Sequence, residues 1–241
     1  MSEQHATPES VANEIRSALR QGGSAKHAES VQRFFTEPVR SHGWRTADVR
    51  RAALKSRKAI LTKHGPEFLL KLADNLFTGE ISEEKNFAIF LLEKRTDDLG
   101  LAEFKLFETW LARIRNWSDH DGLVHYLIAP MIADNPSWSK NVFRWAKSQN
   151  RWYRRAACVA LIQGTRRKLF FPEIVRLSEA LLSDEDDMVQ KGLGWLLRET
   201  AKANPKPTTK YLMKIRGRAP RFVLRTACET LPRQTRSMIL G

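Results

Sequence analysis

The sequence predicts an all-α protein, built as a curved α-solenoid of antiparallel helical hairpins with about a dozen helices. Apolar residues recur at spacings of three and four along nearly the whole chain, which is the period of an amphipathic helix. Alternating β-branched runs between hairpin turns are missing. Helix-capping residues and helix-ending glycines or prolines also follow one another at short intervals, so helices without a sheet are expected.

The individual helices are indicated by their starts and stops. Capping residues and first-turn prolines predict helix starts at Thr7 with Pro8, Thr46, Ser82 and Pro172. Predicted stops are Gly22 with Gly23, Gly65 with Pro66, Gly79, Gly100, Gly164, and Pro205 with Pro207. The resulting helices are about 12 to 18 residues long with short connections, so sequence neighbours should pack antiparallel. No long linker interrupts them, which predicts one helical-repeat domain over residues 1–241.

A short pattern of arginine followed by small residues recurs along the chain. It appears at residues 50–54 (Arg-Arg-Ala-Ala-Leu), 154–158 (Arg-Arg-Ala-Ala-Cys) and, more faintly, 224–228 (Leu-Arg-Thr-Ala-Cys). Paired small residues let one helix approach the next closely, and stacked hairpins of this kind form solenoids with a concave binding surface. The periods are irregular, so an ordinary helical bundle is the alternative.

The chain is strongly basic. It carries 41 Lys and Arg against 27 Asp and Glu, a formal charge of +14, with an isoelectric point near 10.1. Such an excess points to a polyanionic partner, either nucleic acid or an anionic membrane surface. The basic helices lack a large exposed apolar face, which favours nucleic acid over a membrane.

Cysteine usage indicates a reducing compartment, and the hydropathy pattern indicates a location away from the membrane. Cys158 and Cys228 are far apart and in no metal-binding spacing, so neither a disulfide framework nor a zinc cluster is expected. The segment Met1–Ala25 is polar, and no stretch approaches the roughly 20 apolar residues that span a bilayer. The protein is expected in the cytoplasm, associated with the nucleoid, and without a membrane partner.

Positive charge is concentrated in two segments, around residues 45–63 and 202–236. Such unbalanced clusters favour phosphate contacts and predict an affinity for DNA that falls steeply with salt. The alternative for any single side chain is a solvated helix face. The residues expected to bind DNA are Arg45, Arg50, Arg154, Arg155, Lys191, Arg218, Arg221 and Arg225.

Trp117 and Asp121 are four residues apart, so a helix beginning there places them on one side. Either Ser118 or Asp119 could cap this helix, which would place the indole at its N-terminal end and Asp121 in its first turns. The structural alternative is a tryptophan that packs at the helix entry and is followed by ordinary acidic first-turn residues.

Two further helices carry unusual residues. Arg155 directly precedes a pair of alanines, which suits a side chain at the rim of a groove, although an exposed surface arginine is the simpler interpretation. Gly192 and Gly194 lie inside a strongly patterned helix, where each costs about 1 kcal/mol relative to alanine. Either tight helix packing or space for a ligand beside Trp195 would account for them.

These motifs together resemble the AlkD-type DNA alkylation-repair glycosylases, a family built from HEAT-like helical repeats. The resemblance covers about residues 30 to 230 and includes an N-terminal segment at residues 43–50. Its motifs are Trp117-x-x-x-Asp121, Arg155-Ala156-Ala157 and Gly194-Trp195-x-Leu197-Arg198-Glu199. It implies hydrolysis of the N-glycosidic bond of purines alkylated at N3 or N7, leaving an abasic site while the base stays in the stack.

The resemblance also implies residue roles. Asp121 would be the catalytic carboxylate, Trp117 and Trp195 the aromatic walls around the deoxyribose, and Arg155 a contact to the DNA backbone. An alkylated purine is already cationic, so the developing oxocarbenium-like sugar is what must be stabilised. A carboxylate and indole faces both do so, the indoles by roughly 0.5 to 2 kcal/mol each.

The chain departs from the family pattern beside the carboxylate. The family usually carries Trp-Asp-x-apolar-Asp, whereas Ser118 and His120 stand at the second and fourth positions here. His120 is expected to sit in the cleft and alter its charge or its water. His120 and His125 lack the spacing of a helical metal pair, so no metal or other cofactor is predicted.

The expected partner is double-stranded DNA containing alkylated bases, bound by a monomeric enzyme. The main alternative is a non-catalytic helical-repeat protein that binds distorted or branched DNA, which the basic clusters alone would support. A helical protein adaptor is a third possibility, although an adaptor does not need a charge of +14.

Overall fold

The computed structural model describes residues 6–241, so the first five residues of the polar Met1–Ala25 segment lie outside the described part of the chain. Every regular element in residues 6–241 is helical, which confirms the all-α prediction. Short 3-10 turns lie at Thr96–Asp98, Leu111–Arg113 and Pro136–Lys140, and a π-helical turn at Val124–Ile128. The α-helices are α1 (Pro8–Gln21), α2 (Ala25–Gln32), α3 (Thr46–Phe77), α4 (Ser82–Leu92), α5 (Leu101–Trp110), α6 (Trp117–Leu123), α7 (Ala129–Asp134), α8 (Asn141–Trp145), α9 (Arg151–Val159), α10 (Ile162–Arg166), α11 (Phe171–Leu181), α12 (Asp187–Ala203), α13 (Pro205–Ile215), α14 (Arg221–Ala227) and α15 (Arg233–Leu240).

The predicted helix boundaries are partly right. Thr7 caps α1 in a capping box, as expected. At Gly65 the backbone of α3 is non-helical, with a φ of 81° that favours glycine, so two helical segments meet at a kink where the sequence predicted a stop. Gly100 precedes α5 instead of ending a helix, and Gly164 lies inside α10. An added Cβ at Gly164 would lie 2.3 Å from the Phe170 ring, so close packing explains this glycine. Several helices are only one or two turns long, which is why they outnumber the prediction.

The chain divides into two compact units. Unit 1 consists of the residues up to Thr96 together with Arg113–Gly122, and unit 2 of Asp97–Ala112 together with Leu123–Gly241. The single domain over residues 1–241 stays a prediction.

Unit 1 is organised by the packing of α3 against α4 and α1. Its core includes Leu72, Leu76 and Phe90, all essentially inaccessible to solvent. The buried carboxylate of Glu83 anchors the segment before α3, because it accepts hydrogen bonds from the Ser41 hydroxyl at 2.6 Å and from the backbone N–H groups of residues 42, 43 and 44 at 2.9 to 3.1 Å. This network fixes the start of α3 and the position of Arg45, which is the N-cap residue of that helix.

Unit 2 is organised around α12, which packs against α9, α10, α11, α13 and α14. The side chains of Leu193, Leu196 and Leu197 are buried along this helix. A cluster of aromatic side chains around Phe104 and Trp145 fills the earlier part of the unit, with ring centroids 6.1 Å apart. Trp195 therefore projects from the most heavily packed helix of unit 2.

No helix within residues 6–241 combines the length and the apolar character needed to cross a membrane.

Candidate functional site

Trp117 and Asp121 lie together on α6 of unit 1, as their spacing predicted. The helix is capped by Asn116, not by Ser118 or Asp119 as the sequence suggested. The Asn116 side-chain oxygen accepts from the backbone N–H of Asp119 at 2.9 Å, and its carbonyl accepts from that of His120 at 3.2 Å. Trp117 is consequently the first residue of the helix, and Asp121 lies one turn later.

Asp119 anchors this helix to α4. Its carboxylate is almost fully buried and accepts hydrogen bonds from the Ser82 hydroxyl and from the Asn116 side-chain amide, the latter at 2.8 Å. Burial raises the pKa of Asp119 to about 6, although the hydrogen bonds and nearby Lys85 oppose the shift. Asp119 therefore holds α6 in place and does not face solvent.

Trp117 presents a partly exposed indole, with 36% of the residue accessible. It stacks on Phe35, with ring centroids 5.1 Å apart and planes 20° apart, and its Nε1 donates to the Phe34 carbonyl at 3.4 Å. The Gln32 side chain makes hydrogen bonds to the backbone at Phe35 and just after it, including one that it accepts from Val39 N–H at 2.8 Å. Sequence reasoning missed this aromatic support, for which the adjacent Phe34-Phe35 pair was the available signal.

Asp121 is hydrogen-bonded to its neighbour His120. The carboxylate is 21% exposed, and its Oδ1 lies 2.8 Å from Nδ1 of His120, whose side chain has no exposed surface. The expectation that His120 would sit in an open cleft was wrong, because the imidazole is buried beneath the carboxylate. When Asp121 is ionised, its carboxylate can only accept this hydrogen bond, and Nδ1 of His120 then donates it.

Trp195 lies on α12 of unit 2 and is half-buried. Its indole stacks on the His125 imidazole, with centroids 6.2 Å and planes 25° apart. His125 belongs to the π-helical turn, and its carbonyl accepts from the Gln163 side chain at 2.7 Å. Sequence reasoning considered His125 only as a metal ligand and missed its place beside Trp195, which depends on the tertiary packing of α12.

The two unusual glycines of α12 are explained by helix packing. A Cβ at Gly192 would lie 3.2 Å from Cγ of Arg155 on α9, and a Cβ at Gly194 would lie 3.0 Å from Cβ of Thr226 on α14. Of the two predicted explanations, close helix approach accounts for both glycines.

Arg155 is not at an exposed rim, contrary to the sequence expectation. Only 5% of the residue is accessible, and its Nη1 donates to the Met188 carbonyl at 2.7 Å at the start of α12. A buried guanidinium needs such partners to offset its lost hydration. Its observed role is to join α9 to α12, and a contact with the DNA backbone stays a prediction.

The other residues expected to bind DNA differ in their surroundings. Arg154 forms an ion pair with Asp184 at 2.6 Å and also donates to the carbonyls of Ser148 and Gln149. Four more cations make contacts within their own unit, namely Arg50 with Glu93 and Phe90, Lys191 with Asp187, Arg218 with Glu179, and Arg221 with the Leu240 carbonyl. Arg45 and Arg225 are exposed and make no ion pair within residues 6–241. Their contacts with DNA phosphates, like those of the other six residues, stay a prediction.

No group of three or more His, Cys, Asp or Glu side chains within residues 6–241 is arranged to hold a metal ion. Cys158 is buried, and burial raises the pKa of its thiol to about 12. Cys158 is therefore an unreactive core residue.

Comparison with known proteins gives a consistent result. A family model described as DNA alkylation repair enzyme matches residues 15–231. A solved structure, a predicted DNA alkylation repair enzyme from Enterococcus faecalis, superposes with a TM-score of 0.78 at 16% identity, covering 88% of this chain and 97% of that one. The crystal structure of AlkD2 from Streptococcus mutans superposes with a TM-score of 0.64 at 19% identity, covering 91% and 98%. No curated protein matches the chain.

Proposed function

Because the chain belongs to the DNA alkylation repair enzyme family, we propose that it is a monofunctional DNA glycosylase that removes cationic N3- or N7-alkylated purines. The observation that carries this proposal is α6, where a partly exposed carboxylate and a partly exposed indole lie one turn apart on a helix that Asp119 anchors to α4. DNA is the partner that the family implies, and alkylation damage the lesion.

The chemistry required of Asp121 is modest. Alkylation makes the purine a cationic leaving group, so the bond to the sugar breaks with little acid assistance. Positive charge then develops on the deoxyribose, and a carboxylate aimed at it lowers the barrier and can orient the attacking water. Asp121 has the partial exposure that this role needs.

Trp117 supports the same step. An indole face attracts a cation by roughly 0.5 to 2 kcal/mol, and the stack on Phe35 holds this indole in one orientation. Groups that act on the sugar do not require the base to leave the duplex, so we propose that the target base stays stacked, unlike in base-flipping enzymes. Trp195 as the second aromatic wall, and action as a monomer in the cytoplasmic nucleoid, remain predictions of this function.

The direct test is Asp121→Asn, which keeps the shape of the side chain and removes its charge. Single-turnover release of 7-methylguanine from methylated duplex DNA should fall by roughly 100-fold or more, because one preorganised electrostatic contact is lost. Asp97→Asn, at an exposed position, is the matched control and should keep the wild-type rate. Trp195→Leu in the same assay tests the second aromatic wall.

Full activity of Asp121→Asn would show that another group performs the chemistry. Tight, salt-sensitive DNA binding by the wild type without any base release would favour the alternative of a non-catalytic protein that binds distorted or branched DNA. Failure to bind DNA even at low salt would favour a protein adaptor.

A further inference from the structure

The buried imidazole of His120 is in contact with the Asp121 carboxylate and can therefore affect how that carboxylate acts. We propose that His120 is a positioning residue, which donates a hydrogen bond from Nδ1 to Oδ1 of Asp121 and so fixes the direction in which the carboxylate acts. This role rests on the proposed glycosylase function of Asp121. The carrying observations are the 2.8 Å contact and the complete burial of the imidazole.

The histidine is itself held rigidly. Its backbone N–H donates to the Asn116 carbonyl at 3.2 Å, within the N-terminal turn that Asp119 ties to Ser82 on α4. A side chain without exposed surface also has few alternative rotamers. The donor atom Nδ1 therefore occupies a fixed position relative to the helix that carries Asp121.

A fixed donor matters for an aspartate in particular. Each hydrogen bond to a partly exposed carboxylate narrows the range of orientations that it samples, so fewer catalytic cycles begin from an unproductive one. A charge that is already oriented does not have to reorganise as the sugar becomes cationic, which is the main source of electrostatic catalysis. The hydrogen bond from His120 contributes to this orientation.

A histidine also suits the task better than a permanent cation. With the proton on Nδ1, a neutral imidazole donates a hydrogen bond and leaves the net charge of the pair at minus one. A lysine or arginine in contact with Oδ1 would orient the carboxylate but cancel much of its field at the sugar. A neutral imidazole at this position therefore orients the carboxylate without adding a positive charge beside it.

The experiment compares His120→Leu, which removes the donor, with His120→Asn, whose amide nitrogen can occupy the place of Nδ1. The single-turnover rate of 7-methylguanine release from methylated duplex DNA should fall roughly 10- to 100-fold in His120→Leu, the usual effect of losing one hydrogen bond to a charged group. His120→Asn should stay within about threefold of the wild type, and the DNA dissociation constant should change by less than about twofold in both. His64→Leu removes a half-buried histidine that stacks on Phe68, and is the control.

A wild-type rate in His120→Leu would overturn the proposal, and so would equal losses in the leucine and asparagine variants, since these would indicate a packing role. Asp121→Asn separates the two ideas: if it is inactive while His120→Leu is fully active, the proposed function stands and the positioning role fails. A wild type that releases no base overturns both.

A measurement on the wild-type protein covers the case in which His120→Leu does not fold. In ¹⁵N spectra of the imidazole, Nδ1 of His120 should carry a proton. The signal of this nitrogen should shift in Asp121→Asn. A neutral His120 protonated only on Nε2 would overturn the proposal.

Discussion

Replacing Asp119 by asparagine should remove a pH dependence from the stability of the protein. This carboxylate is buried on α6 between Trp117 and Asp121, where it accepts hydrogen bonds from Ser82 and Asn116. Its pKa is raised from 3.8 to about 6 by burial, which disfavours the charged form more than the hydrogen bonds and Lys85 favour it. Asparagine has no such ionisation.

The sign of this pH dependence follows from whether the folded or the unfolded state holds the proton on Asp119 more tightly. Between the unfolded pKa of 3.8 and the folded pKa of about 6, the folded protein keeps the proton on Asp119 and the unfolded chain does not. Stability from this group is therefore complete below the unfolded value and is lost as pH rises through the folded value. A shift of about 2 units corresponds to about 3 kcal/mol over the whole window, at about 1.4 kcal/mol per unit.

Urea unfolding near pH 5 and near pH 7.5 measures roughly half of this change. The wild type should lose more free energy of unfolding between the two conditions than Asp119→Asn does, and the difference between the two proteins isolates this one group. The exposed Asp97→Asn should behave as the wild type.

An equal loss in the wild type and in Asp119→Asn would refute the reasoning, since it would show that burial does not raise the pKa of Asp119. A wild type that gains stability with pH relative to the variant would reverse the sign. The first result would mean that Ser82, Asn116 and Lys85 stabilise the ionised form as much as burial opposes it, and the second that they stabilise it more.

Two further predictions concern packing and DNA binding. Gly194→Ala should destabilise the protein by roughly 1 kcal/mol in urea unfolding, because crowding against Thr226 outweighs the gain in helix propensity. The control is Gly217→Ala, where the added Cβ meets open space. An effect of Gly194→Ala as small as that of the control would contradict the prediction. Arg225→Ala should weaken DNA binding and lower the slope of log affinity against log salt by about 1. Lys71→Ala removes an ammonium already paired with Glu67 and should leave that slope unchanged, and equal slopes in both variants would argue against a phosphate contact by Arg225.

Local patterns in the sequence predicted the elements of the fold well. Thr7 and Pro8 begin α1 as expected, because capping depends on a few adjacent residues. The pairing of Trp117 with Asp121 on one helix was also predictable, since their spacing equals about one helical turn. Gly65 interrupts the helix where a stop was predicted, whereas Gly164 was less predictable, because it packs against a ring that lies outside its own helix.

The sequence by itself determined the helical class, the strong positive charge, the family and the helix that carries Trp117 and Asp121, since each depends on composition or on spacing over a few residues. Tertiary structure decided the surroundings of the individual side chains. Arg155 is buried because α12 packs over α9, and His120 meets the Asp121 carboxylate from inside the protein. Burial depends on which helices meet, and that is set by contacts between residues distant in sequence.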